Sequence, residues 1–414
     1  MFLTINAWIR TTFFNLLIVA FIGLILRYKI VFSLPFIDQK QLLHAHSHFA
    51  FTGWVTQLLM TLMIHSLSKQ SDTNLFFKYR VLLITNLVSA FGMLFSFAVQ
   101  GYSFVSISFS TLSIIVSWVF AIQIWKDVNN LHKQNISAYW FKSAVLLNAF
   151  SAIGAFALVF MMANKIIHQN WHLLSVYFFL HFQYNGWFFF ACMGLIMNNI
   201  CIQGNDSKKL KIIFWIFTIS CIPTYFLSVL WLKLQLGLYI LVVLSAIAQL
   251  IGWGIFIQVL QKNKKPLFSN LNSYAKWLLI LSTLALSIKL LLQLGSTIPS
   301  LSELAYGFRP IVIGYLHLIL LGAISLYLIG YSFAEQLLLT NKLIVYGLVV
   351  FTAGVIINEL FLMTQGIAAM NNILILLMNE CLIFSAIILF LGMVLVNIGL
   401  KNKQKAVTIY QVVD

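Results

Sequence analysis

The chain has 414 residues, of which 61% are hydrophobic and only 8% carry a charge. Soluble domains have about 25% charged residues, so this composition excludes a soluble globular fold. The formal net charge of +16 does not indicate nucleic-acid binding, because the basic residues lie in short connections and form no patch interleaved with exposed aromatic residues.

Apolar runs of about 20 residues, the length at which a helix crosses a hydrocarbon core roughly 30 Å thick, recur from end to end. They predict an all-α, polytopic membrane bundle of about twelve transmembrane helices, which forms one integral domain over residues 1–414. No internal repeat or low-complexity tract is evident in the pattern. The predicted spans are 11–32, 43–67, 80–102, 104–125, 139–163, 173–200, 211–231, 236–260, 275–294, 308–334, 343–365 and 372–400.

The basic residues predict the orientation of these spans. With the N-terminus inside, seventeen Lys and Arg residues fall on the inner side and six on the outer side. The positive-inside rule therefore places both termini in the cytoplasm, and we expect a multi-pass protein of a bacterial inner (plasma) membrane. The first span lacks a small-residue cleavage site, which favours a retained helix over a removed signal. The four cysteines have no CxxC spacing and indicate neither disulfides nor zinc.

Seven of the nine histidines fall in the outer half of this topology. Three of them open the second span, two lie in the outer connection before the sixth span, and one lies about nine residues into each of the sixth and tenth spans. These residues are His44, His46, His48, His168, His172, His181 and His317. Only His65 and His132 are on the inner side. Histidines within a bilayer face the bundle interior and mark relays or ligand sites, and imidazole is the commonest metal and haem ligand.

Spacing narrows the roles but leaves alternatives open. His44 and His48 are one helical turn apart and share a face, whereas His46 points the other way. One of that pair could ligate while the other donates a hydrogen bond or binds a second metal. In the sixth span, Tyr177, His181, Tyr184 and Asn185 form one polar stripe. The alternative for each histidine is a structural role, since a buried imidazole often bonds a backbone carbonyl and an interfacial cluster is often only solvated.

The segment HAHSHFAFTGW, which opens the second span, resembles the second helix of the haem–copper oxidase subunit I superfamily. That superfamily includes nitric-oxide reductases and the NnrS-type haem and copper membrane proteins, which fit the length of this chain better. The resemblance implies twelve spans and a cofactor in the outer half of the bundle. It also implies electron transfer or nitric-oxide or oxygen chemistry, and a redox partner or other membrane subunits.

The resemblance assigns residues as follows. One of His44, His46 and His48 would bind a haem, expected to be b-type, with His44 or His48 preferred, and His317 would be the second axial ligand. His181, followed by Tyr184 and Asn185, would match a copper ligand, and we include His46, His168 and His172 among the candidate metal ligands. Arg309 would hold haem propionates.

The sequence also departs from the superfamily pattern. Tyr315 stands where the superfamily has the histidine of its high-spin haem, and the seventh span, WIFTISCIPTYFLSVLW, has no paired histidines. The outer connection TQGIAAMNN has no arginine. The resemblance therefore does not imply complete reduction of oxygen.

The charged residues that lie most clearly inside the membrane are Lys289, Glu359 and Glu380. The lysine could neutralise either glutamate if the helices meet. Alternatively the glutamates, which follow Asn358 and Asn379, form part of a proton route.

Two other functions compete with cofactor binding. A metal-ion or small-solute transporter would use the outer histidines as an entry site, although no inverted halves are evident. A catalytically silent assembly subunit would keep the fold and bind nothing.

Overall fold

A computed structural model describes residues 4–131, 135–200, 205–263, 271–302 and 308–410. Within these ranges the chain forms helices joined by turns and contains no strand. The predicted all-α class is therefore confirmed for the part of the chain that the structure describes. His132 lies outside it.

Three of the helices are π-helical and interrupt longer helical segments. In chain order the elements are α1 (Ile5–Val31), α2 (Gln39–Phe49), π1 (Ala50–Thr56), α3 (Gln57–Ser71), α4 (Phe76–Gln100), α5 (Phe104–Asn129), α6 (Ile136–Ala163), α7 (Gln169–His181), π2 (Phe182–Phe188), α8 (Phe189–Asn199), α9 (Asn205–Cys221), a 3₁₀ helix (Pro223–Val229), α10 (Leu236–Lys262), α11 (Ser273–Gly295), α12 (Arg309–His317), π3 (Leu318–Ser325), α13 (Leu326–Ala334), α14 (Lys342–Met370) and α15 (Met378–Tyr410).

Among the described residues, nine helical segments are long and apolar enough to cross a bilayer, and α9 with the 3₁₀ helix makes a tenth that is bent by 46°. Two further segments, 39–71 and 169–199, continue without a break through π1 and π2. The protein is thus a multi-pass helical membrane protein.

The last predicted span begins later than expected. The chain turns between α14 and α15, where Asn372 and Leu377 have positive φ angles of 55° and 62°. Most of the segment TQGIAAMNN, expected as a connection, instead continues α14 to Met370. Asparagine tolerates the left-handed conformation that ends a helix, so α14 ends at this asparagine pair.

The last two long helices pack closely because glycines face each other. A Cβ atom at Gly392 would lie 2.5 Å from the backbone nitrogen of Phe351, and one at Gly347 would lie 2.9 Å from the carbonyl oxygen of Gly392. Small residues let membrane helices approach closely and gain dispersion contacts. Asn397 of α15 also donates to the carbonyl of Phe13 at 3.2 Å, which joins this pair to α1.

The three segments that contain π-helices meet inside the bundle. The Trp54 indole donates to the Ser325 hydroxyl at 2.9 Å, which joins π1 to π3. The Trp187 indole donates to the Thr56 hydroxyl at 3.1 Å, which joins π2 to π1. All four side chains are buried, so each bond satisfies a donor that would otherwise be costly to bury.

Candidate functional site

Each π-helix follows a histidine, and each contains a glycine that lies five residues after that histidine. The three stretches read HFAFTGW at 48–54, HFQYNGW at 181–187 and HLILLGA at 317–323. Single π-helical turns are rare in proteins, and those that occur often lie at functional sites. This pattern is a weak internal repeat that sequence reasoning missed, although the shared H-F-x-x-x-G-W of the first two stretches could have revealed it.

Neighbouring helices satisfy backbone carbonyls in two of the π-helices. The amides of Asn15 and Asn86 donate to the carbonyls of Gly53 and Thr52 in π1, at 2.6 and 3.2 Å. The hydroxyl of Ser282 donates to the carbonyl of Ala323 in π3 at 2.6 Å. Because buried carbonyls need donors, these polar side chains stabilise irregular backbone inside an apolar bundle.

A cavity of about 110 Å³ lies between α1, α14, α15 and the segments that contain π1 and π3, and both His46 and His317 line it. Trp54 and Ser325 also line it, so the hydrogen bond that joins π1 to π3 forms part of its wall. Most of the remaining wall is aliphatic or aromatic. The structure thus brings a second-span histidine and the tenth-span histidine to one apolar space.

The hydrogen bond of His317 determines which of its nitrogens is available. Its Nδ1 lies 2.8 Å from the carbonyl oxygen of Ile313. A carbonyl oxygen only accepts, so Nδ1 donates and the neutral ring carries its lone pair on Nε2. A backbone carbonyl bonded to one ring nitrogen is the usual way in which proteins orient a metal-ligating histidine.

His46 has a hydrogen bond to the backbone of Val19 in α1. Its Nδ1 is buried and has no hydrogen-bond partner, and its Cε1 would lie 3.3 Å from a Cβ atom placed at Gly23. A glycine at this position of α1 therefore leaves room for the ring. A buried nitrogen without a partner carries a free-energy cost that a ligand could offset.

His44 and His48 face away from this cavity. The His48 ring stacks on Phe97 with 4.4 Å between centroids, and the His44 ring packs edge-on against Tyr102 at 4.7 Å. The sequence analysis preferred these two as partners of His317. The structure instead places His46 there, because the α2 face that carries His46 packs against Gly23 of α1.

One charged residue of the cavity wall interacts with two other charged residues. Arg27 lines the cavity, as does Asn358, and the Arg27 charge interacts with those of Glu359 and Arg309. The Asn358 amide donates to Glu359 Oε1 at 3.1 Å, and Glu359 Oε2 is buried without a hydrogen-bond partner. Sequence reasoning named Arg309 for this role and missed Arg27, which it counted only as an outer basic residue.

His181 is bonded at both ring nitrogens. Its Nε2 lies 2.9 Å from the carbonyl oxygen of Cys221 and donates to it, and its Nδ1 lies 3.1 Å from the Asn185 amide. Nδ1 therefore accepts from that amide, and neither nitrogen retains a free lone pair. In the structure His181 is a fully bonded histidine of the protein core.

Lys289 contacts neither of the two predicted glutamates within the described ranges. Its ammonium donates to Gln293 Oε1 at 2.5 Å, and the chain of bonds continues from Gln293 to Gln249 at 2.8 Å. Glu380 lies in the first turn of α15 and is exposed, because that helix begins later than predicted. Among the described residues Lys289 therefore forms no ion pair with Glu359 or Glu380.

The remaining predicted residues have local contacts. His168 accepts from the backbone N–H of Trp171 at 3.4 Å and caps α7, and the His172 ring donates to the carbonyl of Ile166 at 2.9 Å. Tyr184 is buried in π2, and Tyr315 packs on the core. Over the described residues, no three His, Cys, Asp or Glu side chains are grouped closely enough to hold a metal ion.

The donor set around the small cavity fits a haem better than a copper ion. It supplies two imidazoles from facing helices, apolar walls and an arginine for carboxylates. The cavity is smaller than the usual ligand pocket of about 300–1,000 Å³, so a macrocycle would require lining side chains such as Leu320 and Leu321 to move. Within the described part of the chain, His181 belongs to no group of three His, Cys, Asp or Glu side chains that could hold a copper ion.

A comparison of the sequence with protein-family models and with curated proteins gives no match.

Proposed function

We propose that the protein is a haem-binding membrane protein of haem–copper oxidase subunit I type, in which His46 and His317 are the axial ligands. The proposal includes the twelve spans, with both termini in the cytoplasm of a bacterium and the cofactor in the outer half of the inner membrane. The single observation that carries it is that both imidazoles line one cavity, one with an available Nε2 and the other with an unbonded Nδ1.

Electron transfer is the chemistry that this donor set favours. A haem held by His46 and His317 would supply one-electron transfer. The apolar wall keeps water from the site, and Arg27 offers a cation for propionate carboxylates. Electrons would come from a redox partner or from another membrane subunit. Nitric-oxide or oxygen reduction would need an open position and, in the superfamily pattern, the ligands that Tyr315 and the seventh span lack.

Copper remains a weaker part of the proposal. It would require His181 to exchange its bond to the Cys221 carbonyl for a metal, together with further ligands at that depth. Metal analysis of the purified protein tests this separately from haem.

The main test is spectroscopic. The full chain, expressed in a host that makes b-type haem and purified in mild detergent, should give a reduced-minus-oxidised difference spectrum with a narrow α band. A pyridine haemochrome assay should give about one haem per chain, and electron paramagnetic resonance should give a low-spin ferric signal. A well-folded preparation that shows no haem bands, even after haem is added, would contradict the proposal.

A transporter is the second candidate, and one observation favours it. The span formed by α9 and the 3₁₀ helix is bent by 46° next to Pro223, and transporters build substrate sites at broken helices. Transporters usually have two such helices in corresponding halves, and the described residues contain one. Uptake of a divalent cation by loaded vesicles, without haem in the protein, would support the transporter.

A further inference from the structure

A second and much larger cavity lies elsewhere in the bundle. It measures about 1,130 Å³, lies between α8, α10, α11 and α13, and shares no lining residue with the histidine cavity. The indole of Trp253 on α10 donates to the hydroxyl of Ser287 on α11 at 2.8 Å. Both residues line the cavity, so this bond holds α10 against α11 at one level of its wall.

The wall of this cavity opens sideways between helices. Ile280 and Leu284 of α11 line it and are 50% and 54% exposed. Both residues lie within a segment long and apolar enough to cross the bilayer. The exposed surface therefore faces acyl chains, and an occupant would enter from the membrane.

The wall offers few free polar groups to an occupant. The Ser282 hydroxyl donates to the carbonyl of Ala323, the Thr283 hydroxyl donates to that of Leu279, and the Tyr327 hydroxyl donates to that of Cys192. These three hydroxyls are thus already bonded as donors, and most of the remaining wall is apolar. The body of the occupant must be apolar.

One end of the cavity is polar and lies near a membrane interface. Lys276 lines it three residues after α11 begins, and Trp277 beside it is 64% exposed. Tryptophan and tyrosine mark the headgroup level in membrane proteins, and Tyr274 is three residues before Trp277 on the same helix. This is also the end of the bundle at which the lysine-rich connections lie.

Lys276 is the cation available at that end. Glu335 also lines the cavity, but its carboxylate already pairs with Lys69 at 2.6 Å and accepts from Asn199 at 2.6 Å. In the described ranges the Lys276 ammonium has no carboxylate within ion-pair distance. An anionic group at the polar end would therefore meet an uncompensated positive charge.

We propose that this cavity binds one anionic phospholipid, with its acyl chains against the apolar wall and its phosphate at Lys276. Basic pockets between transmembrane helices on the cytoplasmic side recognise anionic lipid headgroups in this way. An isoprenoid quinone suits this cavity less well, because its uncharged ring would leave the Lys276 charge without an anionic partner. The proposal does not depend on haem.

The test measures lipid binding by native mass spectrometry of the full chain, with phosphatidylglycerol and phosphatidylcholine of equal chain length added to delipidated protein. Lys276→Gln should weaken phosphatidylglycerol binding by about tenfold, and Lys276→Arg should restore it. The matched control is Lys262→Gln, since Lys262 pairs with Asp206 at 3.0 Å, has a 69% exposed side chain and does not line the cavity. It should leave binding unchanged.

A second variant tests the cavity itself. Thr283→Trp places an indole in the space and should displace the bound lipid whatever its headgroup, while thermal unfolding shows that the fold persists. Equal retention of phosphatidylcholine and phosphatidylglycerol by the unaltered chain, or an undiminished phosphatidylglycerol affinity in Thr283→Trp or Lys276→Gln, would overturn the proposal. A quinone that co-purifies and is lost in Thr283→Trp would overturn it in favour of a quinone site.

Discussion

His317 and His181 have the same position relative to their helices, but they differ in hydrogen bonding and in their neighbours. Each is the last residue of an α-helix, each is followed by a π-helix, and each stands five residues before a glycine. His317 has one bonded nitrogen and lines a cavity. His181 has two bonded nitrogens and is 1% exposed.

The difference comes from the helices opposite. Across from His181, α9 ends at Cys221 just before Pro223, so the Cys221 carbonyl has no partner within its helix and accepts from the imidazole. Across from His317, α1 presents Gly23 to the cavity, which leaves space there. One local sequence pattern thus gives a bonded core residue or an available ligand, depending on a neighbour far along the chain.

The largest expected effect separates the two histidines. His317→Ala should lower haem affinity by more than about 100-fold, since removal of a second-shell partner alone costs about 10–100-fold at metal sites. His181→Ala should leave haem content unchanged. Haem per chain, measured by pyridine haemochrome in both variants, checks this. Equal loss in the two would mean that they do not differ as described.

The next effect concerns the three histidines of α2. His46→Ala should lower haem affinity by about 10–100-fold and convert residual haem to a high-spin form, because one axial position is then open. His44→Ala and His48→Ala should change affinity by less than about twofold, since both rings pack on Phe97 and Tyr102. The readouts are haem titration and the ferric spin state. If His48→Ala rather than His46→Ala had the high-spin spectrum, the face assignment would be reversed.

The hydrogen bonds of His181 should be measurable in the free energy of unfolding. His181→Ala should lower the free energy of unfolding by about 1–3 kcal/mol, because it removes the imidazole donor from a buried carbonyl. The Thr224 hydroxyl, 3.1 Å from the same oxygen, keeps the loss below the upper limit. Thermal unfolding in detergent, without haem, measures this. His172→Ala, a partly buried histidine with one bond to a carbonyl, should cost less and serves as the matched control.

The smallest effect tests the space beside His46. Gly23→Ala would place a methyl group 3.3 Å from the His46 ring, so the ring must shift by a few tenths of an ångström. We expect a fall in haem affinity of about two- to fivefold with the low-spin spectrum retained, smaller than the loss from a second-shell deletion. Gly295→Ala, where nothing lies within 4 Å, should be neutral. An unchanged affinity in Gly23→Ala would show that the ring is free to move.

Much of the fold could be predicted because hydropathy is a local property. Nine helical segments of the described residues are long and apolar enough to cross a bilayer, and the all-α class is confirmed for the part of the chain that the structure describes. The start of α15 could not be predicted, because the residues around Asn372 are as apolar as a span and only the positive φ angles show the turn. The π-helices were equally hidden, since one extra residue per turn leaves the hydropathy unchanged.

The site was harder to predict than the fold. Spacing correctly placed His46 opposite His44 and His48, but no periodicity says which face of α2 meets α1. That depends on Gly23 and on contacts between residues far apart in sequence. The same limit explains Arg27, whose role follows from a cavity, and Lys289, whose partner is an amide on its own helix.

Trp54 forms part of the wall of the histidine cavity, and its indole is held rigid by Ser325. A fluorophore fixed there would lie close to any strongly absorbing pigment in the cavity and would transfer its excitation energy to it. The unaltered chain would therefore emit more tryptophan fluorescence than Trp54→Phe when the cavity is empty. This difference would disappear when a pigment is bound. The fluorescence of Trp54 would thus report whether the cavity is occupied, without an added label.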